Sequence, residues 1–314
     1  MQPNQIRNKR ILIAPLNWGY GHVARCIALI RELQANENEV LIAADRTQQK
    51  IFSCYFPNIT MIDHMGYPFK FSKGGNFSLD LAKGYSKLRR RMQQEKLETE
   101  LLCKIYNIDL TISDHRYGFK TKKCYSIFLT HQLNFPLRWY EKWVQRIHEK
   151  LMRQFDEVWV PDFENSELAG ELSANKSKLN AEYIGPLSRF SSCNQNLKEK
   201  SEVTLIVSGE EVHASKFLEE QLSINEGRKI NIILPSAFQQ IKASSDFNIT
   251  PAENWVLCDE IILNSKKIIS RSGYSTLMDL YFLKTPFSLT PTPGQREQEY
   301  LFSYWSAKIN AVVE

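Results

Sequence analysis

The chain has 314 residues, of which 43% are hydrophobic and 24% are charged, and its formal net charge is +5. This composition is typical of a soluble globular protein with one large or two medium-sized domains. No apolar run approaches the roughly 20 residues that span a bilayer, and the N-terminus has no signal-peptide pattern. The six cysteines have no CxxC spacing, so we expect a cytoplasmic protein with reduced thiols and without a metal site.

The charge is distributed unevenly along the chain. Residues 1–160 carry 25 Lys/Arg against 15 Asp/Glu, whereas residues 161–314 carry 15 against 20. A basic half suits an anionic acceptor or a membrane surface, and a solvated charged face is the alternative. We expect no nucleic-acid partner. Two segments combine basic with aromatic residues and indicate a peripheral contact with the inner face of the membrane. The first contains Lys83, Lys87, Arg89, Arg90, Arg91 and Lys96 near Phe69, Phe71, Phe77 and Tyr85. The second contains Arg138, Lys142 and Arg146 beside Trp139, Tyr140 and Trp143.

Strand-like and helix-like segments alternate along the first half of the chain. Short apolar runs predict strands at 11–16, 40–45, 59–62, 110–113, 126–130 and 157–160. Apolar residues at helical spacing predict helices from the first glycine loop to residue 33, and at 46–56, 88–106 and 137–153. Residues 65–84 have no clear period and predict a long loop. This alternation is typical of a parallel sheet with helices on both faces.

A second α/β unit begins after a polar linker at 191–201. Strands are predicted at 203–207, 230–234 and 268–269, with a helix between the loop at 208–211 and residue 222. We therefore predict an α/β protein in which two units of similar design follow one another.

The first glycine loop reads Gly19-Tyr20-Gly21-His22-Val23-Ala24 and follows the first predicted strand. It matches GxGxxA, and Asp45 ends the next strand, which is the pattern of a dinucleotide site with its ribose carboxylate. An NAD-dependent enzyme is therefore one hypothesis. His22 follows the second glycine at a helix start, where a neutral imidazole could act as a base, although a lone histidine is more often structural.

The second glycine turn lies in the segment from Ser270 to Asp279, which predicts a strand, a turn at Gly273 and a helix. Ser272, Ser275 and Thr276 are placed to cap this helix. Backbone N–H groups at such a helix start can bind a phosphate, and Asp279 could accept hydrogen bonds from a ribose. An ordinary βα unit is the alternative interpretation.

These two segments, together with 295–300, resemble the GT-B sugar-nucleotide glycosyltransferases, in the branch that includes MurG. The turn at 130–134 is similar to the His-Glu-Gln-Asn turn of that branch, and 184–187 is similar to its interdomain strand. The resemblance implies two Rossmann-like domains facing across a cleft. Residues 1–184 would bind the acceptor, and residues 185–314 would bind the nucleotide sugar, with the last helix packing back on the first domain.

The resemblance also implies roles for individual residues. Asp279 would bind the ribose, and Gln298 and Glu299 would contact the donor sugar. Ser272 and Gly273 would line the donor pocket. From their positions at the glycine turns and strand ends we add Gly21, Ser208, Gly209, Arg271, Ser275 and Thr276 as donor-side candidates, and Asn17, Asp114 and Asn134 as acceptor-side candidates. The loop Ser208-Gly209-Glu210-Glu211 departs from the family, because two carboxylates stand where glycines are usual. A non-catalytic relative that binds sugar nucleotides or glycans therefore remains an alternative.

The sequence also bears on the mechanism of such a transfer. It contains no Asp-x-Asp triplet and no Glu-x7-Glu pattern around 272–280, so we predict metal-independent transfer with inversion. A UDP-sugar would be the co-substrate, with no further cofactor, and the acceptor would be a glycan, a lipid-linked molecule or a small molecule. Inversion requires a base, for which we predict His22, with His131 and His115 as alternatives.

Overall fold

The computed structural model describes residues 1–67, 77–193, 202–238 and 246–313. The chain forms two compact units, Met1–Arg189 and Phe190–Glu314, which we call domain 1 and domain 2. The sequence-based boundary lies between residues 184 and 185. The predicted loop at 65–84 and the predicted linker at 191–201 fall partly outside the described residues.

Domain 1 contains a seven-stranded parallel sheet with the order β3-β2-β1-β4-β5-β6-β7. Its strands are β1 (Arg10–Pro15), β2 (Glu39–Ala44), β3 (Thr60–Asp63), β4 (Leu110–Asp114), β5 (Tyr125–Leu129), β6 (Glu157–Val160) and β7 (Ala181–Tyr183). The middle strands are buried along nearly their whole length, which is expected because helices cover both faces of a parallel sheet.

Four helices accompany this sheet: α1 (Gly21–Ala35), α2 (Arg46–Tyr55), α3 (Phe77–Ile105) and α4 (Lys142–Met152). Helix α3 begins earlier than the sequence predicts, because residues 77–84 of the predicted loop form its first turns. A 3-10 turn at Trp139–Glu141 separates α4 from the loop before it, where one continuous helix had been expected.

Domain 2 contains a five-stranded parallel sheet with the order β10-β9-β8-β11-β12. Its elements are β8 (Glu202–Ile206), α5 (Glu211–Ile224), β9 (Ile230–Leu234), β10 (Phe247–Pro251), α6 (Trp255–Leu263), β11 (Ser265–Arg271), α7 (Tyr274–Leu283), β12 (Phe287–Thr290) and α8 (Arg296–Val313). The sequence analysis missed β10, α6 and β12. The two strands are partly exposed edge strands that lack a buried apolar run, and α6 is too uniformly apolar to show a helical period.

Each sheet has one position at which the strand order reverses. In domain 1 this switch point lies between β1 and β4, and in domain 2 it lies between β8 and β11. Loops that leave neighbouring strands in opposite directions open a crevice at the carboxyl ends of those strands, where open α/β sheets bind ligands. Both predicted glycine loops follow strands at these switch points.

The basic and aromatic residues of domain 1 are only partly surface groups. Lys87, Arg89, Arg90 and Lys96 are exposed, as are Tyr85, Tyr140 and Trp143. Arg91 is instead buried and forms an ion pair with Glu98 at 2.8 Å. Phe69 and Phe71, and the side chains of Phe77, Lys83 and Trp139, lie outside the described part of the chain. In the residues that are described, no helix is both long and apolar enough to cross a membrane.

Candidate functional site

The crevice of domain 1 brings His22 and Asp114 together. Gly19, with a φ of +98°, turns the chain after β1, so that α1 begins at Gly21 and His22 lies in its first turn. Nδ1 of His22 lies 2.9 Å from Oδ2 of Asp114, the last residue of β4. Asp114 is fully buried, whereas the His22 side chain keeps 16% of its exposure. The carboxylate thus holds one ring nitrogen, an arrangement in which the other nitrogen, Nε2, can exchange a proton with a neighbouring group.

Arg25 completes this cluster, although the sequence analysis did not select it. It lies one turn after His22 on α1, is 2% exposed, and its Nη2 donates to Oδ1 of Asp114. Its Nη1 lies 3.2 Å from Nδ1 of His131, in the loop after β5. The sequence did contain a signal for Arg25, which is a charged residue within the largely apolar run from Val23 to Leu33. An arginine on a buried helix face needs a buried partner, so its position indicates such a contact.

Burial and the charges of this cluster together set the protonation states of Asp114 and His22. Burial alone would raise the pKa of Asp114, but Arg25 and then His22 lower it, so the carboxyl group stays ionised. Burial is the largest effect on His22 and lowers its pKa below 6.5, with Arg25 acting in the same direction and Asp114 against it. The site therefore holds a neutral imidazole beside an ionised carboxylate near neutral pH.

His115 does not share this arrangement, although it follows Asp114 directly. The chain turns there with a φ of +60°, and the ring points into the domain, with Nδ1 2.9 Å from Oγ1 of Thr130. Its Nε2 lies 3.4 Å from the hydroxyl of Tyr117, and the ring stacks on His148. Burial holds the pKa of His115 well below its ordinary value. His115 thus contributes to packing, and the hypothesis that it is an alternative base is not supported.

The two predicted acceptor-side asparagines stabilise loops. Oδ1 of Asn17 accepts a hydrogen bond from the backbone N–H of Tyr67 at 3.1 Å, and a Cβ at Gly66 would come within 2.1 Å of the Asn17 amide. The side chain of Asn134 donates to the carbonyl groups of Glu171 and Ala174 at 2.8 and 2.7 Å. These contacts give both residues a structural role near the crevice.

A buried ion pair supports the same end of the sheet. Nε of Arg116, just after β4, donates to Oε1 of Glu95 on α3 at 2.6 Å, and both side chains are fully buried. The hydroxyl of Tyr67 donates to the other oxygen of Glu95 at 2.6 Å, and Arg116 also contacts Nδ1 of His64 at 2.8 Å. Burial, Arg116 and Arg91 lower the pKa of His64 to about 3. This network, which we call the Glu95–Arg116 network, ties α3 to the loops that follow β3 and β4.

The crevice of domain 2 is formed by two glycine turns. Ser208 and Gly209 are exposed after β8, and Gly209 has a φ of +105°. Gly273 is the N-cap residue of α7 and lacks a side chain that could cap the helix. Among the described residues, a Cβ at Gly273 would meet only Oγ1 of Thr276, at 3.9 Å. A helix start of this kind can accommodate an anion close to its backbone N–H groups.

Two predictions for this crevice need correction. Ser272 does not cap α7, because its hydroxyl donates to the carbonyl group of Gln298 at 2.8 Å, and Ser275 and Thr276 lie inside the first turn instead of at the cap. Arg271 does not present its guanidinium to the crevice. Its terminal nitrogens donate to the carbonyl groups of Pro291 and His213 at 2.9 and 2.7 Å, and it stacks over Phe217.

Three further donor-side residues, Asp279, Gln298 and Glu299, lie on α7 and α8. Asp279 is 9% exposed on α7. Gln298 accepts from the backbone N–H of Thr292 at 2.9 Å, and Glu299 accepts from that of Gly294 at 2.9 Å, so both side chains order the turn before α8. Gly21 lies in domain 1, at the start of α1.

Asp45 has a structural role that the dinucleotide hypothesis did not include. Its Oδ1 accepts hydrogen bonds from the backbone N–H groups of Thr47 and Gln48, both at 2.9 Å, and thereby caps α2. Helix capping therefore accounts for a carboxylate at this position, and no contact with a ribose is needed to explain it. In the described part of the chain, no group of three His, Cys, Asp or Glu residues is arranged to hold a metal ion.

Comparison with known proteins gave results only at the level of structure. No family model matches the sequence, and no curated protein matches it significantly. The spinosyn rhamnosyltransferase SpnG complexed with thymidine diphosphate is similar with a TM-score of 0.60 at 13% identity, covering 96% of this chain and 92% of that one. MurG of Acinetobacter baumannii has a TM-score of 0.52 at 13% identity, over 95% and 83%. The S. aureus MnaA–UDP co-structure has a TM-score of 0.59 at 9% identity, over 96% and 88%.

These similarities extend over both domains, and the fold implied by the resemblance is confirmed. The chain has the α/β fold of the GT-B glycosyltransferases, with two Rossmann-like domains built on parallel sheets.

Proposed function

We propose that this protein transfers a sugar from a nucleotide sugar, most simply a UDP-sugar, to an acceptor bound by domain 1. The observation that carries the proposal is the His22–Asp114 pair at the switch point of that domain, at a nitrogen–oxygen distance of 2.9 Å. A neutral imidazole whose Nδ1 is held by a buried carboxylate is suited to accept a proton at Nε2. A hydroxyl group of the acceptor is the group that such a base would activate.

Domain 2 supplies the complementary part of the proposal. The start of α7 at Gly273 would bind the diphosphate through backbone N–H groups, and Asp279 would accept hydrogen bonds from the ribose. The similar structures of SpnG with thymidine diphosphate and of MnaA with UDP make a nucleoside diphosphate the natural first choice of ligand. Exposed Glu210 and Glu211 would stay turned away from the bound diphosphate.

The proposed reaction is a single displacement with inversion. The acceptor hydroxyl gives its proton to Nε2 of His22, and its oxygen forms a bond to the anomeric carbon. The bond from that carbon to the diphosphate oxygen breaks, and the electron pair leaves with the diphosphate. Its negative charge is stabilised by the N–H groups and the dipole of α7, a role that needs no metal ion. The acceptor is a glycan, a lipid-linked molecule or a small molecule.

The proposal is tested by binding and by product analysis. Thermal-shift screening against UDP, GDP, dTDP and NADH should show stabilisation by a nucleoside diphosphate and none by NADH. Incubation with UDP-hexoses in the presence of EDTA should then release UDP, and the coupling constant of the anomeric proton should show inversion in the product. Stabilisation by NADH alone would favour the dinucleotide enzyme. Binding of a diphosphate without any turnover would favour a non-catalytic relative.

A further inference from the structure

Arg25 stands at the centre of the domain 1 cluster. It is 2% exposed, and its guanidinium reaches three different groups. Nη2 donates to Oδ1 of Asp114 and lies 2.6 Å from Nδ1 of His22, while Nη1 lies 3.2 Å from Nδ1 of His131. A rigid, planar group with several donors fixes the orientation of its partners better than a flexible one.

The two neighbours of Nδ1 in His22 make opposite demands on that atom. Asp114 can only accept a hydrogen bond, and Arg25 can only donate one. When Nδ1 carries the hydrogen and donates to Asp114, Nε2 has a lone pair and can act as a base. When Nδ1 accepts from Arg25, Nε2 carries the hydrogen and cannot accept a proton. The balance between Arg25 and Asp114 thus decides which tautomer of His22 is present.

We propose that Arg25 is a positioning residue of this site, which compensates the charge of Asp114 and sets which ring nitrogen of His22 carries the hydrogen. This inference rests on the proposed function of His22 as the base. Arg25 also contacts His131, so two histidines of domain 1 are arranged around one guanidinium.

The other groups that face the cluster do not provide this compensation. Sγ of Cys26 lies 3.6 Å from Oδ2 of Asp114 and is a weak donor, and burial holds its pKa well above the ordinary value. The His115 ring lies 6.3 Å from that of His22, and its Nδ1 faces Thr130. The groups around Asp114 come from α1, β4 and the loops after β4 and β5. Among them, Arg25 carries the positive charge that contacts Asp114 directly.

The test is an NMR titration of the histidine rings in Arg25→Met, in which a neutral side chain of similar length replaces the guanidinium. Ring nitrogen shifts report both the tautomer and the pKa of each histidine, and His22→Gln identifies the His22 signals. Asp114 then interacts with His22 without compensation, so the His22 pKa should rise by about 1–3 units and a larger fraction of His22 should carry its hydrogen on Nδ1. An unchanged pKa and tautomer in a folded Arg25→Met protein would overturn the proposal.

Two further variants keep the test decisive if the buried Asp114 prevents Arg25→Met from folding. Arg25→Lys keeps the charge but lacks the planar fork, so it should retain a low His22 pKa while releasing His131. The double variant Arg25→Met/Asp114→Asn removes both charges and should give a His22 tautomer ratio different from that of the wild type. A wild-type tautomer ratio of His22 in the double variant, or unchanged His131 signals in Arg25→Lys, would contradict the role of Arg25.

Kinetics separate this proposal from the proposed function. If the wild type transfers a sugar, the acidic limb of the rate profile should move to higher pH in Arg25→Met by the same shift that NMR reports. If no sugar nucleotide reacts, the proposed function fails, and the NMR titration still decides whether Arg25 controls His22.

Discussion

The two switch points of this molecule share one topology but differ in the groups that they present. In domain 1 the crevice holds side chains that exchange protons or carry charge, namely His22, Asp114, Arg25 and His131. In domain 2 the crevice holds glycines and the start of α7, so backbone groups dominate. The first arrangement suits proton transfer, and the second suits an anion. The difference shows that one topology can supply two chemistries, depending on whether side chains or backbone line the crevice.

The largest expected effect concerns the acid–base side of this comparison. Replacing His22 with alanine removes the proposed base, so turnover should fall by about 10²–10⁴-fold. Nucleotide affinity should stay the same, because the proposed donor site is formed by domain 2. Initial rates of sugar transfer and calorimetric titration with UDP measure the two quantities separately. Arg46→Ala, at an 88% exposed position, is the control. Undiminished turnover in His22→Ala would assign the base to another residue.

The second prediction uses acid to distinguish the domains. Five of the six histidines lie in domain 1, and burial lowers the pKa of His148 to about 4 and that of His64 to about 3. In the unfolded chain both have ordinary values near 6.5, so the unfolded state binds more protons as the pH falls below 6.5. The contribution of these two histidines to folding stability is therefore complete above pH 6.5. It is lost as the pH falls toward their pKa values in the folded protein.

Domain 1 should therefore lose stability between pH 7 and pH 5 more steeply than domain 2. The loss from His148 alone is on the order of 3 kcal/mol when its folded pKa is passed. Hydrogen exchange with mass spectrometry at pH 7 and pH 5 reports each domain through its own peptides. His148→Gln should reduce the pH dependence of domain 1. Faster acid-induced exchange in domain 2 would contradict the prediction.

The third prediction, with a smaller expected effect, concerns the proposed nucleotide site of domain 2 and its contact with the ribose. Loss of a buried carboxylate that accepts hydrogen bonds from a ribose costs about 1.5–3 kcal/mol, which is tenfold or more in affinity. Asp279→Ala should weaken UDP binding by this factor in calorimetry. The exposed Glu260 on α6 provides the matched control, Glu260→Ala, for which we expect no change. Equal affinities in the two variants would remove Asp279 from the site.

The last prediction concerns Gly273, where a substitution should raise the stability of the protein slightly but weaken its binding of UDP. Its φ of −75° suits any L-residue, and an aspartate at an N-cap position stabilises a helix by about 0.3–1 kcal/mol. Gly273→Asp should therefore raise the melting temperature slightly, yet its carboxylate should repel a diphosphate and abolish UDP binding. Gly273→Ala lacks the charge and serves as the comparison. UDP binding retained by Gly273→Asp would place the diphosphate elsewhere.

The sequence predicted the parts of this structure that depend on local patterns. The buried strands and the two glycine turns follow from apolar runs that end in glycine, whereas the GT-B fold was implied by the resemblance to a known family. The edge strands β10 and β12 were missed, since partly exposed strands lack that signal. Side-chain partners were also out of reach: Arg25 contacts Asp114 across 88 intervening residues, and Arg271 donates to carbonyl groups far along the chain. Such contacts depend on tertiary packing, which no local pattern encodes.

The Glu95–Arg116 network limits how this protein could be altered by laboratory evolution. Removing one partner of a buried ion pair costs about 3–5 kcal/mol, a large share of the roughly 5–15 kcal/mol by which domains are stable. Variants at Glu95 or Arg116 would thus be lost from a library before their activity could be selected. Exposed Tyr140 and Trp143, at 47% and 39%, can be changed without this penalty. A library designed to keep domain 1 folded should therefore vary exposed positions such as these and leave the buried pair intact.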